Sequence, residues 1–99
     1  MIRGSTPTFT CSLPADASLF VEIEVIFVQD GKEMIRLTKN DLTAAEGSGI
    51  TFTLGEEQTL AFAAGVTAEM QLRLVTNEGK IFLSLPKRLA VRRRISEDT

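Results

Sequence analysis

Twenty residues from Leu19 to Thr38, LFVEIEVIFVQDGKEMIRLT, constrain this chain more than any other stretch. Val21, Ile23, Val25 and Phe27 alternate with Phe20, Glu22, Glu24 and Ile26. Strand side chains point to opposite faces with period two, so the odd positions predict an unbroken apolar face. The even face begins wet at Glu22 and Glu24 and turns apolar at Ile26 and Val28. Branched and aromatic residues dominate the run and disfavour a helix. The Asp30-Gly31 pair closes a hairpin. A two-residue turn would set Val25 opposite Arg36 and put Ile35 and Leu37 on the Glu22 face. A turn followed by a glycine bulge pairs Val28 with Lys32, Ile35 with Val25 and Leu37 with Ile23. A one-residue slip would move the whole apolar set to the wrong face, so the bulged turn is the expected one.

The rest of the chain repeats this pattern. Thr8 to Leu13 alternates, with Phe9, Cys11 and Leu13 on one side, and ends at Pro14. Ala15 to Ser18 reads as a loop. Lys39-Asn40-Asp41 makes a turn, and Leu42 to Ala45 reads as a brief edge strand or a loop. Glu46 to Gly49 is a turn, after which Ile50, Phe52 and Leu54 mark a strand. Gly55 to Leu60 is expected to form one helical turn crossing between sheets, anchored by Leu60 and Phe62. Glu56 and Glu57 suit the positive end of such a turn. They diverge as neighbours, which makes them poor paired catalytic acids. Val66 to Thr76 alternates again. Its turn, Thr76-Asn77-Glu78-Gly79-Lys80, predicts a second bulged hairpin, with Thr76 against Lys80 and Leu74 opposite Phe82.

In that register Ile81, Leu83 and Leu85 share a face with Gln71 and Arg73, away from the predicted core. A strand apolar on both faces is either covered twice or open to a partner. The alternative to a contact surface is cover from the N-terminal segment or the Gly55–Phe62 piece. Pro86 cannot donate to a ladder and implies a bulge or an unpaired edge.

The pattern as a whole predicts an all-β chain: a small Ig-like antiparallel β-sandwich of about six or seven strands with one short helical turn. A chain of 99 residues makes one domain, placed at 1–95 with a frayed tail at 96–99. A chain this size buries roughly 65% of its unfolded surface, enough for a core without crosslinks. Cys11 is the single cysteine, so no internal disulfide forms; it reads as a small buried hydrophobe.

Histidine, tryptophan and tyrosine are missing. That removes Ser-His-Asp and Cys-His catalysis and the commonest zinc ligand. No nucleophile–base pair, metal-ligand spacing or phosphate-cradling loop stands out, so catalytic residues, metal sites and cofactors are expected to be none. No apolar run approaches the ~20 residues of a membrane span and no signal-peptide pattern opens the chain, which predicts a cytoplasmic start and no membrane partner.

Charge is uneven. Residues 1–86 carry 6 basic and 11 acidic groups; residues 87–99 carry 5 basic and 2 acidic, within a net charge of −2. Acidic body and basic end can attract each other between neighbouring copies, which makes a homo-oligomer possible. The bland reading is a solvated terminal segment. Arg88, Arg92, Arg93 and Arg94 raise nucleic-acid binding, which the acidic body opposes. The candidate partner-binding residues are therefore Ile81, Leu83, Leu85, Lys87, Arg88, Arg92, Arg93 and Arg94.

The opening Met1-Ile2-Arg3-Gly4-Ser5-Thr6-Pro7-Thr8, with Phe9 and Leu13-Pro14, resembles small prophage-encoded proteins of Gram-positive bacteria. The likeness continues through Val28-Gln29-Asp30-Gly31-Lys32, Leu54-Gly55-Glu56-Glu57-Gln58-Thr59-Leu60, and Gln71-Leu72-Arg73 ahead of Gly79. Such proteins are similar in style to the N-terminal β domain of siphophage upper baseplate proteins. Relatives of this kind tend to end in an acidic or glycine-containing tail, whereas here Arg92-Arg93-Arg94 precedes Ser96-Glu97-Asp98. The resemblance implies a tail or baseplate protein that docks to other phage proteins, in the virion or in the host cytoplasm during assembly. The alternative function is a carbohydrate- or host-surface-binding module, for which phenylalanine is the only aromatic on offer.

Overall fold

In the computed structural model, which describes residues 1–45 and 47–94, the long central run becomes strand β2 (Phe20–Gln29). It lies between β3 (Lys32–Leu37) and β6 (Ala68–Thr76). Beyond β6 come β7 (Ile81–Leu83) and β8 (Lys87–Leu89), both paired antiparallel to β6. A second sheet has the order β1 (Thr8–Ser12), β5 (Gly49–Thr53), β4 (Thr43–Ala44). The α-helical turn α1 (Glu56–Leu60), the only one among the described residues, connects β5 in one sheet to β6 in the other, as expected. The eight strands among the described residues exceed the expected six or seven because the last ribbon divides at Pro86 and the brief edge strand forms.

The first hairpin corrects the expected register. Asp30 and Gly31 both have positive φ, +53° and +76°, the signature of the two-residue turn. Gln29 pairs with Lys32 and Val28 with Glu33, and then the register shifts, so that Phe27 pairs with Ile35 and Val25 with Leu37. Met34 is the extra residue, and its bulge returns Ile35 and Leu37 to the core face. The apolar set thus lies on one side, as the face argument requires, through a different device.

A second bulge corrects the start of β2. The pairing with β6 shifts between Phe20 and Glu22, which turns Phe20 into the core and leaves Val21 54% exposed. Lys39 Nζ donates to the Phe20 carbonyl at 2.6 Å beside this irregularity.

Phe27 is the centre of the interior. Its ring meets Phe9, Phe52 and Phe62 edge-on at centroid distances of 5.7, 6.2 and 6.0 Å, while Phe9 and Phe52 stack at 5.3 Å. Such pairs contribute about 0.5–1.5 kcal/mol each beyond area burial. Ile23, Val25, Ile50, Leu54 and Leu74 fill the surrounding space.

Two buried polar side chains hold the segments around the helical turn. Gln29 donates through Nε2 to the carbonyls of Ala63 and Val66, both at 2.8 Å, and accepts the Ala63 amide at 2.7 Å. Thr59, fully buried, accepts the Gly4 amide at 2.9 Å and lies 2.8 Å from the Ser5 carbonyl. The expected anchor Phe62 is buried, whereas Leu60 is half-buried and Thr59 takes the inner place beside it. The expected turn at Glu46 and the frayed tail at 96–99 fall outside the described residues; Gly47 and Ser48 do form a turn.

Candidate docking surface

The outer ribbon is built by its turn. Thr76 donates its amide to the Lys80 carbonyl at 2.9 Å, Gly79 donates to the Thr76 carbonyl at 3.0 Å, and Gly79 takes φ +87°. The expected register follows, with Leu74 opposite Phe82, Val75 opposite Ile81 and Arg73 opposite Leu83. At the other end Ser84 donates its amide to the Leu72 carbonyl at 3.0 Å, while its hydroxyl accepts the Leu72 amide at 2.9 Å. The side chain replaces a main-chain acceptor there because the ribbon veers off at Pro86. Pairing resumes one residue out of step, with Met70 opposite Lys87 and Glu69 opposite Arg88. This is the irregularity that Pro86 predicts.

Bonded and unbonded pairs alternate along an antiparallel ladder. The Thr76–Lys80 and Leu72–Ser84 pairs are bonded, so Phe82 turns its N–H and C=O toward β6. Ile81 and Leu83 turn theirs to the open margin of the sheet.

The side chains are as open as the backbone. Ile81 is 56% exposed, Phe82 48%, Leu83 61% and Leu85 90%. Neither segment that could have covered them does so. The N-terminal segment runs elsewhere: Ile2 forms a parallel bridge with Arg92, the Arg3 amide donates to the Arg92 carbonyl at 2.8 Å, and Thr59 of α1 receives Gly4. Phe82, on the other side of the ribbon from Ile81 and Leu83, borders a cavity of about 360 Å³ with Pro14, Leu19 and Phe20.

The wet part of the same face is tied up in ion pairs. Glu24 takes Arg36 at 2.6 Å and Arg73 at 2.9 Å; Arg73 also reaches Glu22 at 3.1 Å and Arg36 reaches Glu33 at 2.7 Å. Hydrogen bonding from Arg36 is the main cause that holds the Glu24 carboxyl below the usual range, with Arg73 adding to it. Glu22 and Glu24 were visible in the alternation, but Arg36 and Arg73 become their partners only once β2 is placed between β3 and β6.

The basic candidates do not form one group. Lys87 and Arg88 follow Leu85 on β8. Arg92 and Arg93 border a shallow depression with Ala64, Gly65 and Val91. The Arg94 guanidinium packs over Gly4, its Nη1 2.8 Å from where a Cβ would stand. Cys11, half-buried, lines a cleft with Met70, Leu72 and Lys87; burial pushes its thiol upward. Among the described residues no group of three His, Cys, Asp or Glu side chains is placed to hold a metal, and no helix is long and apolar enough to cross a membrane.

Strand order defines the class. In immunoglobulin-like sandwiches one sheet contains B, E and D, and the other C, F and G, with C′ added beside C in variable-type domains. The orders β1-β5-β4 and β3-β2-β6-β7 reproduce B-E-D and C′-C-F-G. The protein is an Ig-like β-sandwich in which the Phe27 cluster, without any disulfide, ties the sheets together. No protein-family model and no curated protein matches the chain. Among solved structures it is similar to the V domain of amphioxus IgVJ-C2, with 12% identity and a TM-score of 0.39 over 92% of this chain and 96% of that one.

Proposed function

We propose that the chain is a prophage-encoded structural or assembly protein of the tail or baseplate region, and that it acts by docking to copies of itself or to a larger tail protein. The observation that carries this reading is the run Ile81, Phe82, Leu83, Leu85, four large apolar side chains left about half exposed or more on one ribbon. An exposed apolar strip of this size is costly in water and marks interaction surfaces. The sequence resemblance supplies the phage setting.

Peptide mass spectrometry of purified phage particles and tail-assembly intermediates, from a lysogen that carries the gene, tests the reading. The chain is expected in one of these fractions. Leu83→Lys with Leu85→Lys, both at exposed positions, is expected to leave the fold intact and deplete the chain from them. Absence of the wild-type chain from all such fractions overturns the proposal.

A further inference from the structure

We propose that two copies of the chain pair antiparallel along β7 across a two-fold axis, Ile81 of one lying opposite the partner's Leu83. This rests on the docking reading above and names the occupant of the surface.

The two margins of the large sheet differ. At β3 the margin carries Lys32, Glu33 and Arg36, and Met34 bulges out of register. Charges and bulges are what keep a sheet margin from pairing. Within Ile81–Leu83 there is no charge, proline or bulge. Pro86 and Lys87 limit the open stretch, so few main-chain bonds are available and side-chain burial has to supply most of the affinity. Ile81, Leu83 and Leu85 are open on one side of the ribbon and Phe82 on the other, so pairing along the strand brings apolar side chains together on both faces of the joined sheet.

The geometry favours a second copy. Strands related by a two-fold axis are antiparallel automatically, and the patch must then complement itself. Centred on Phe82, the pairing sets Ile81 against the partner's Leu83 and Leu83 against the partner's Ile81. These are the residues whose N–H and C=O point outward, so both pairs are hydrogen-bonded. Phe82 meets the partner's Phe82 at a non-bonded pair, where side chains approach more closely. No like charges are opposed within this stretch. Just beyond it Glu78, at the hairpin tip, comes beside the partner's Pro86–Lys87 stretch. An acidic turn thereby faces the basic β8, consistent with the uneven charge of the chain.

Sedimentation equilibrium over a concentration series tests the pairing, with circular dichroism to verify the fold of each variant. The wild type is expected at twice its 10.8 kDa. Ile81→Lys with Leu83→Lys sets like charges in both pairs and is expected at 10.8 kDa. Ile81→Lys with Leu83→Glu sets each introduced lysine against the partner's introduced glutamate and is expected to restore the dimer. Leu83→Pro removes an amide that points away from β6 and is expected to weaken the dimer about tenfold or more; it carries the test if the charged variants misfold. A monomeric wild type, a dimer indifferent to Leu83→Pro, or a charge-swapped variant that stays monomeric overturns the proposal. A monomer that is nevertheless found in phage particles overturns the pairing alone; a dimer absent from particles overturns the phage reading alone.

Discussion

The Thr59 hydroxyl accepts the Gly4 amide at 2.9 Å and so joins the helical turn to the N-terminal segment, 55 positions apart. Thr59 is fully buried. Replacing it with valine keeps the shape and removes the acceptor, which leaves a partly buried amide unmatched at a cost of about 1–3 kcal/mol. Thr59→Val is expected to lower the urea midpoint accordingly, and Thr59→Ser to stay close to wild type.

Gln29 uses both amide N–H groups and its carbonyl oxygen on the loop after α1, through three bonds of 2.7–2.8 Å. Gln29→Leu is expected to destabilise the fold by about 2–4 kcal/mol, because two carbonyls and one amide lose their partner together. Hydrogen exchange should be faster at Ala63 than in the wild type, while the Thr76–Lys80 turn stays protected.

The Glu24 network sets an acid dependence. Its carboxyl is held below the ordinary value of 4.5, first by the Arg36 hydrogen bond. A depressed carboxyl stabilises the fold above the unfolded pKa and loses that contribution as pH falls through the folded one. The thermal midpoint of the wild type should therefore exceed that of Glu24→Gln at neutral pH. The gap should begin to close near pH 4.5 and vanish below the folded pKa. Added salt should narrow it at neutral pH as well, since the partner Arg36 is well exposed.

Gly31 sits at φ +76° with open space where a Cβ would project. Gly31→Ala meets no clash there, so its cost is the left-handed backbone alone, about 1–2 kcal/mol. A larger loss in the denaturation midpoint would mean that the turn differs from the two-residue form.

Much of the sandwich was legible because alternation is a local signal. The strands expected from Thr8 and Ile50, the one expected from Val66 that begins two residues later at Ala68, the helical turn and the Thr76–Lys80 hairpin all follow from residues close together in the chain. The register of the first hairpin was not, because β2 is fixed from both sides. Its pairing with β6 positions Val25 and Phe27, and β3 adapts by taking Met34 as an extra residue. Phe20 and Val21 exchange faces for the same reason, through the bulge opposite Thr76 and Val75. Nothing local marks Gln29 in its turn or Thr59 in its helical turn as buried, since their partners lie 34 and 55 positions away. The exposed strip was visible from Ile81, Leu83 and Leu85. That nothing within the described residues covers it depends on where Met1–Ser5 runs, which no local pattern encodes.

The bulge at Met34 has a consequence at a larger scale. A twisted sheet that could be extended from both sides would stack copy upon copy into fibres. Here the far border is kinked and salted with Lys32, Glu33 and Arg36, so a strand added at β7 finds no site at which the next addition can begin. Growth that begins with the proposed pairing at β7 would thus stop after a single step, and concentrated solutions should remain clear rather than gel.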